Sequence, residues 1–212
     1  MNGTYDREIL LHEYTHLILR DGAELRIPRW VDEGFAEFMS TVRFIAGHVE
    51  LGRMPSDRTH FIVNISDWVP LGELFSGAAF FSTDWFRRSR AYATAWIVMH
   101  YFQLGKRGEG DDLERYLDLV QQRTDPVAAA TAAWQLELHE LAAEFRTYAR
   151  SRPHYVRIPD DVFDFSGISY TSSEMTVPAT AEALARLCRR LGNSERARQL
   201  TAYGRSMQEH RD

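Results

Sequence analysis

Residues 10–19 read LLHEYTHLIL and contain two histidines four positions apart, with a glutamate directly after the first. On a helix, His12 and His16 project from one face, about 6 Å apart along the axis. Two imidazole nitrogens at that spacing can each lie about 2.0–2.1 Å from one zinc ion. Glu13 can then reach a water on the metal without binding the metal itself. The pattern predicts a hydrolytic zinc centre, with an amphipathic helix carrying two solvated histidines as the alternative.

A third ligand is expected from the segment PRWVDEGFAEF, residues 28–38. Glu33 lies 17 positions after His16, on a second helix that Pro28 opens. Two antiparallel helices joined by a short turn can place this carboxylate against the two imidazoles. Gly34, beside it, leaves room for another helix to approach closely.

Glu37 lies one helical turn after Glu33, on the same face. At that position it can accept a hydrogen bond from the far ring nitrogen of a ligand histidine, with His12 favoured, and so fix its tautomer. An ordinary pair of exposed acids is the alternative reading of Glu33 and Glu37.

The combined pattern HEYTH…PRWVDEGFAEF resembles the gluzincin metallopeptidases, in particular the bacterial peptidase MA-like group, and more distantly aminopeptidase N and thermolysin. The resemblance implies that His12, His16 and Glu33 bind zinc, that Glu13 is the general base, and that Glu37 matches the acid that orients a ligand histidine in thermolysin-like enzymes. Asp32 stands where aminopeptidases have Asn. The Gly-x-Met-x-Asn motif that holds a substrate's free amino group is absent from the sequence, which argues against an aminopeptidase.

A hydrogen-bond donor for the tetrahedral oxyanion is expected near the head of a later helix, in the stretch SRAYATAWIVMHYF. Aminopeptidase-like gluzincins carry a tyrosine there, followed by small residues, and that tyrosine hydrogen-bonds the transition state. Tyr92 matches it by resemblance and is predicted to be catalytic. A packed core tyrosine is the alternative, and His48 and His60 are alternative donors.

Composition limits the classes of function. The chain has 212 residues and 44% apolar residues, which suits a globular protein. Its net charge of −5 argues against a nucleic-acid partner. No apolar stretch is long enough to cross a bilayer. The N-terminus lacks the features of a signal peptide, and localisation stays open. The single cysteine, Cys188, excludes an internal disulfide and a cysteine-based metal site.

Apolar spacing, caps and glycine stops predict a mainly helical chain. In the first helix, an apolar stripe is expected from Leu10, Leu11, Tyr14, Leu17 and Ile18, with a stop at Asp21-Gly22. The segments HVELG and HFIVNISDW, within residues 48–68, are predicted to form a hairpin or two edge strands. Helices are predicted over 5–20, from Pro28 to Gly47, and over 88–104 (closed by Gly105), 112–123 (capped by Asp111), 125–135, 137–150, 179–191 (stopped by Gly192) and 194–209.

The expected fold class is mainly α, with a zincin-like catalytic helical domain and a small β-hairpin, followed by a C-terminal helical hairpin. The predicted domains are a gluzincin-like metallopeptidase domain over 1–150, a connector with a short strand over 151–178, and the helical hairpin over 179–212. That hairpin resembles one tetratricopeptide-type unit, in which Ala181, Leu184, Ala185, Leu187 and Ala197 suit the packing. It is a candidate surface for a protein partner.

Three functions follow from these patterns. The leading one is zinc-dependent hydrolysis of a peptide or protein substrate, and the others are an inactive metal-binding scaffold and a helical interaction module without metal. Related metallopeptidases place a β-sheet before the metal-binding helix, and the eleven residues before His12 cannot supply one. We expect either that the chain is a fragment or that the 48–66 hairpin substitutes for that sheet.

Overall fold

A computed structural model describes residues 3–20, 26–105, 111–151, 153–163, 174–190 and 193–209. These ranges contain ten α-helices and one small antiparallel sheet, which confirms the mainly helical prediction. The chain forms two compact units, residues 1–163 and 164–212. Within the described ranges, no helix is both long and apolar enough to span a membrane.

Apart from the end of the second helix, the bounds of the predicted helices are close to those expected from apolar spacing and caps. Pro28 precedes the second helix, and the carboxylate of Asp125 accepts hydrogen bonds from two backbone N–H groups at the start of another. Asp111 stands at its predicted cap position without a capping hydrogen bond from its side chain. The stops expected at Asp21-Gly22 and Gly192 lie outside the described residues. The helices are α1 Gly3–Arg20, α2 Arg29–Ser40, α3 Thr59–Val63, α4 Leu71–Phe75, α5 Trp85–Leu104, α6 Asp112–Gln121, α7 Pro126–Trp134, α8 Leu138–Arg150, α9 Val177–Arg190 and α10 Ser194–Glu209.

The sheet has three strands, β1 (Arg43–Ile45), β2 (His48–Leu51) and β3 (Val156–Pro159), in the order β1-β2-β3. Val49 is opposite Phe44 on one side and Ile158 on the other. Gly47, with φ of +87°, allows the tight turn between β1 and β2. Strand β3 is the short strand expected in the connector, and it belongs to the first unit.

Two predictions about this region are wrong. The second helix ends at Ser40 and not at Gly47, because the Thr41 hydroxyl donates to backbone carbonyls, including that of Arg53 at 2.7 Å, and the chain then enters β1. The segment HFIVNISDW forms α3 and a 3₁₀ turn, so the hairpin consists of β1 and β2 alone. Phe61 and Ile62 are adjacent and both buried, which the inner side of a helix allows and a strand with one face in solvent does not.

The apolar stripe of helix α1 faces the solvent and not the core. Leu10, Tyr14, Leu17 and Ile18 are exposed, each by more than half of its surface, while Glu8, Thr15 and His16 are buried. The helix therefore directs its polar face towards the rest of the first unit. That orientation is required for its histidines to meet the carboxylates of α2.

Helices α2 and α5 lie at the centre of the first unit. Trp30 of α2 is fully buried and donates a hydrogen bond to the Tyr116 hydroxyl at 2.8 Å, and Trp96 of α5 is also fully buried. The two helices approach closely at Gly34, where an added Cβ would lie 2.8 Å from the carbonyl oxygen of Ala95. The glycine expected to allow close helix contact therefore allows it with α5. This contact sets the position of Glu33 relative to the helix that carries Tyr92.

His100, to which the sequence assigned no role, is a buried structural residue. Its Nε2–H donates to the Gly52 carbonyl at 3.0 Å, so its Nδ1 accepts from the Tyr148 hydroxyl at 2.6 Å. Burial lowers the pKa of His100 to about 4 and keeps the ring neutral. The ring thereby connects α5 to α8 and to the end of β2.

The second unit contains α9 and α10, which pack through small residues. Ala181, Ala185 and Ala197 are buried, and an added Cβ at Gly204 would lie 3.1 Å from the side chain of Ala181. The predicted packing of Ala181, Ala185 and Ala197 agrees with this arrangement. The prediction for Leu184 and Leu187 is wrong, since both are exposed. Close backbone approach at alanine and glycine leaves the longer side chains outside.

We predict that Gly34→Ala destabilises the first unit by about 1–3 kcal/mol, because the new methyl group meets a backbone oxygen that cannot move freely. Gly72→Ala is the matched control, since its Cβ would lie at an ordinary 3.8 Å from Leu138 and alanine favours the helix. Urea unfolding of both variants measures the effect. Equal stability of Gly34→Ala and wild type would contradict the close contact.

Candidate metal centre

Three side chains from α1 and α2 converge on one point. The Nε2 atoms of His12 and His16 are 3.1 Å apart, and Glu33 Oε2 lies 3.4 Å from the first and 3.3 Å from the second. His16 and Glu33 are buried, and His12 is partly buried. The structure therefore brings together the three residues that the sequence selected as metal ligands.

The triangle of ligand atoms fits a tetrahedral zinc ion. Zinc–ligand distances of about 2.05 Å place tetrahedral ligands about 3.35 Å apart, because that separation is roughly 1.63 times the bond length. The three observed separations, 3.1, 3.3 and 3.4 Å, surround this value. Two imidazoles and one carboxylate are also a donor set that zinc accepts in catalytic sites, where a fourth position stays open. The residues present thus fit the metal in both chemistry and spacing.

Asp32 orients His16, a role that the sequence did not suggest. Its Oδ1 accepts a hydrogen bond from His16 Nδ1 at 2.7 Å, and its Oδ2 accepts one from Arg20 Nη2 at 2.9 Å. The bond at Nδ1 turns Nε2 towards Glu33. Asp32 appeared in the sequence only as a departure from the aminopeptidase pattern. The available signal was its position directly before the candidate ligand and directly after the apolar pair Trp30 and Val31.

The pKa of His16 reflects these contacts. Burial disfavours the imidazolium, but the hydrogen bonds and charges of Asp32 and Glu33 outweigh burial and raise the pKa of His16 to about 9. The carboxyl of Glu33 is also buried, yet its bonds to the two histidines and the nearby Arg29 lower its pKa to about 2. Without metal, an ionised carboxylate therefore faces a protonated His16.

Glu37 faces the predicted histidine without bonding it. Its Oε1 lies 3.9 Å from His12 Nδ1, which is longer than a hydrogen bond, and accepts instead from Arg58 Nε at 3.3 Å. Glu37 is almost fully buried, and burial raises its pKa despite the opposing charge of Arg58. Glu37 thus faces the Nδ1 atom of His12, but the predicted hydrogen bond between them is not formed in this structure.

A cavity of about 230 Å³ opens beside the triad. His12, Glu13, Glu37, Arg58 and Tyr92 are among the residues that line it. Glu13 is exposed and makes no part of the triad, as expected for a base that must reach a water molecule. The cavity therefore joins the predicted base, one predicted ligand and the predicted oxyanion donor in a single space.

Tyr92 is half-buried on α5, with its ring centre 6.4 Å from that of His12. It packs edge-on against Phe80 at 5.4 Å, and the Arg58 guanidinium lies over its ring at 5.2 Å. Burial and Glu33 raise the pKa of the Tyr92 hydroxyl, and Arg29 partly offsets them. The hydroxyl is therefore neutral near pH 7 and able to donate a hydrogen bond.

The two alternative donors are not in this cavity. His60 is exposed and its Nε2 lies 3.3 Å from the side chain of Asn64. His48 lies on β2, with its Nε2 3.7 Å from Glu50. Neither residue lines the space beside the triad, so Tyr92 is the better placed of the three predicted donors.

We predict a pH-dependent effect of Asp32→Asn on the stability of the metal-free protein. His16 has a pKa of about 9 when folded and about 6.5 when unfolded, so its stabilisation is complete below pH 6.5 and is lost as pH rises through 9. The loss of free energy of unfolding caused by Asp32→Asn should therefore be greater at pH 6 than at pH 10, by about 1–2 kcal/mol. Urea unfolding with a chelator measures this difference.

The matched control is Asp67→Asn, because Asp67 pairs with Arg90, whose charge does not change over this pH range. Its effect on stability should be the same at pH 6 and pH 10. An equally constant effect for Asp32→Asn would show that Asp32 does not control the protonation of His16.

No protein-family model, no curated protein and no solved structure matches the chain. The case for a function therefore rests on the chemistry and spacing of the side chains themselves.

Proposed function

We propose that this chain is a zinc metallopeptidase of the gluzincin type, which hydrolyses peptide bonds in a peptide or protein substrate. One observation carries the proposal. The three ligand atoms of His12, His16 and Glu33 lie at tetrahedral zinc separations, and His12 lines a cavity together with Glu13. The alternative, a helix with two solvated histidines, does not account for the buried Glu33 carboxylate that faces both rings.

His12, His16 and Glu33 would hold the ion. When bound, zinc polarises the substrate carbonyl and lowers the pKa of a water molecule towards neutrality. Asp32 keeps His16 in the orientation that presents Nε2 to the site, with its own charge balanced by Arg20. The chain thus supplies a preorganised donor set, since the carboxylates and rings are already in place.

Proton transfer is assigned to Glu13. Its carboxylate is adjacent to a ligand in sequence, exposed to the cavity and outside the triad. It would accept a proton from the attacking water and later donate it to the leaving amine. The Tyr92 hydroxyl would donate a hydrogen bond to the oxygen that becomes negative in the transition state.

Glu13→Gln tests the enzymatic part of this proposal. Glutamine has the same shape but cannot accept the proton, so the variant should keep about one zinc ion per chain and lose turnover. Cleavage of a peptide library, together with metal analysis, measures both properties. Glu114→Gln, at an exposed position on α6, is the matched control and should retain activity.

The other outcomes separate the remaining functions. Full activity in Glu13→Gln would contradict the metallopeptidase mechanism. Zinc binding without cleavage of any library peptide by the wild type would favour the inactive metal-binding scaffold. Absence of zinc binding would favour a helical interaction module.

Tyr92→Phe tests the assignment of the oxyanion donor. Loss of the hydroxyl should lower kcat by roughly 10²-fold or more, the usual effect of removing one such donor. KM should change little, because the contact strengthens only in the transition state. Steady-state kinetics on a cleaved library peptide measures both, with Tyr203→Phe, an exposed tyrosine of the second unit, as control. A kcat close to that of the wild type would show that the tyrosine has a packing role only.

A further inference from the structure

We infer that Arg29 is a positioning residue, which fixes the carboxylate oxygen that Glu33 presents to the metal. The inference rests on the proposed function, because it concerns the same centre. Glu33 uses its two oxygens differently. Oε2 faces the two imidazoles at 3.3 and 3.4 Å, whereas Oε1 lies 2.7 Å from Arg29 Nη2.

The position of Arg29 follows from the start of α2. Pro28 precedes the helix, Arg29 is its first residue, and Glu33 is one turn later on the same face. The guanidinium also lies 5.9 Å from the ring centre of Phe81, which limits its freedom. Its side chain is 42% exposed while that of Glu33 is 4% exposed, so the contact pairs a partly solvated cation with a buried carboxylate.

This contact is more than an ordinary surface ion pair. Exposed pairs at this spacing contribute little to stability, since water screens both partners. Here the carboxylate is buried, and its second oxygen already faces two imidazoles. An ion pair of 2.7 Å with a buried carboxylate is close enough to hold Oε1 at the guanidinium and away from the ion.

The division of the two oxygens determines how many coordination positions Glu33 can occupy. A carboxylate that binds through one oxygen takes one position, and one that binds through both takes two. A catalytic zinc site needs an open position beyond its three protein ligands. By holding Oε1, Arg29 leaves that position free for water and substrate.

The test uses the full chain loaded with Co²⁺, whose visible bands are more intense in four-coordinate sites than in sites of higher coordination number. Arg29→Met removes the positive charge and keeps most of the side-chain length, so we expect weaker visible bands and a loss of zinc affinity of about 10-fold or more in a chelator competition. Arg29→Lys retains the positive charge beside Oε1 and should restore most of both properties. Arg87→Met, which breaks the more exposed pair with Glu73, is the matched control and should leave both unchanged.

The outcomes distinguish this inference from the proposed function. If wild type binds cobalt and zinc but Arg29→Met shows the wild-type spectrum and affinity, Arg29 is a surface partner only and the inference is wrong. If wild type binds neither ion, the metal centre itself is wrong and the role of Arg29 is overturned with it. Circular dichroism of each variant establishes that the helices are intact before the metal is added.

Discussion

The burial of two consecutive carboxylates, Asp32 and Glu33, is the constraint on which the first unit depends. Two neighbouring anions with little access to water are costly unless cations and hydrogen-bond donors surround them. The structure provides these partners from both sides: His16 and Arg20 bond Asp32, while Arg29 and the two imidazoles face Glu33. The raised pKa of His16 is the direct consequence, because in the metal-free chain a proton supplies the charge that the carboxylates require. In our proposal, zinc takes the place of that proton.

This constraint explains features of the fold that simple patterning does not. Helix α1 leaves much of its apolar surface exposed, including Leu10, Leu17 and Ile18, and buries a polar face. Only that orientation brings His12 and His16 to the carboxylates of α2. Helix α2 must in turn lie deep in the unit, and Gly34 permits it by allowing contact with the Ala95 carbonyl of α5. Because Tyr92 lies on α5, the contact between α2 and α5 also places Tyr92 at the cavity beside the triad. Site and core are therefore determined together.

The sequence predicted the parts of this site that depend on spacing along one or two helices. His12, His16 and Glu33 follow from helical periodicity and one short connection, so their convergence was foreseeable. The bond between Asp32 and His16 was not, because it depends on how α1 is rotated against α2. The predictions of a buried apolar stripe on α1 and of a strand over HFIVNISDW were wrong for a related reason. Periodicity describes which residues share a face, but tertiary packing decides which face is buried, as the adjacent buried pair Phe61 and Ile62 shows. The hydrogen bond expected between Glu37 and His12 depends on a difference of about 1 Å, which helical spacing cannot resolve.

X-ray absorption at the zinc edge, on protein loaded with one equivalent of zinc, tests the central claim most directly. The account predicts a nitrogen and oxygen shell at about 2.0–2.1 Å with low coordination number, and outer-shell scattering from two imidazole rings. Glu33→Ala should lose one oxygen neighbour or fail to retain the ion. A shell of six oxygens without imidazole scattering would contradict this account. So would a sulfur atom about 2.3 Å from the zinc, which would indicate binding by Cys188.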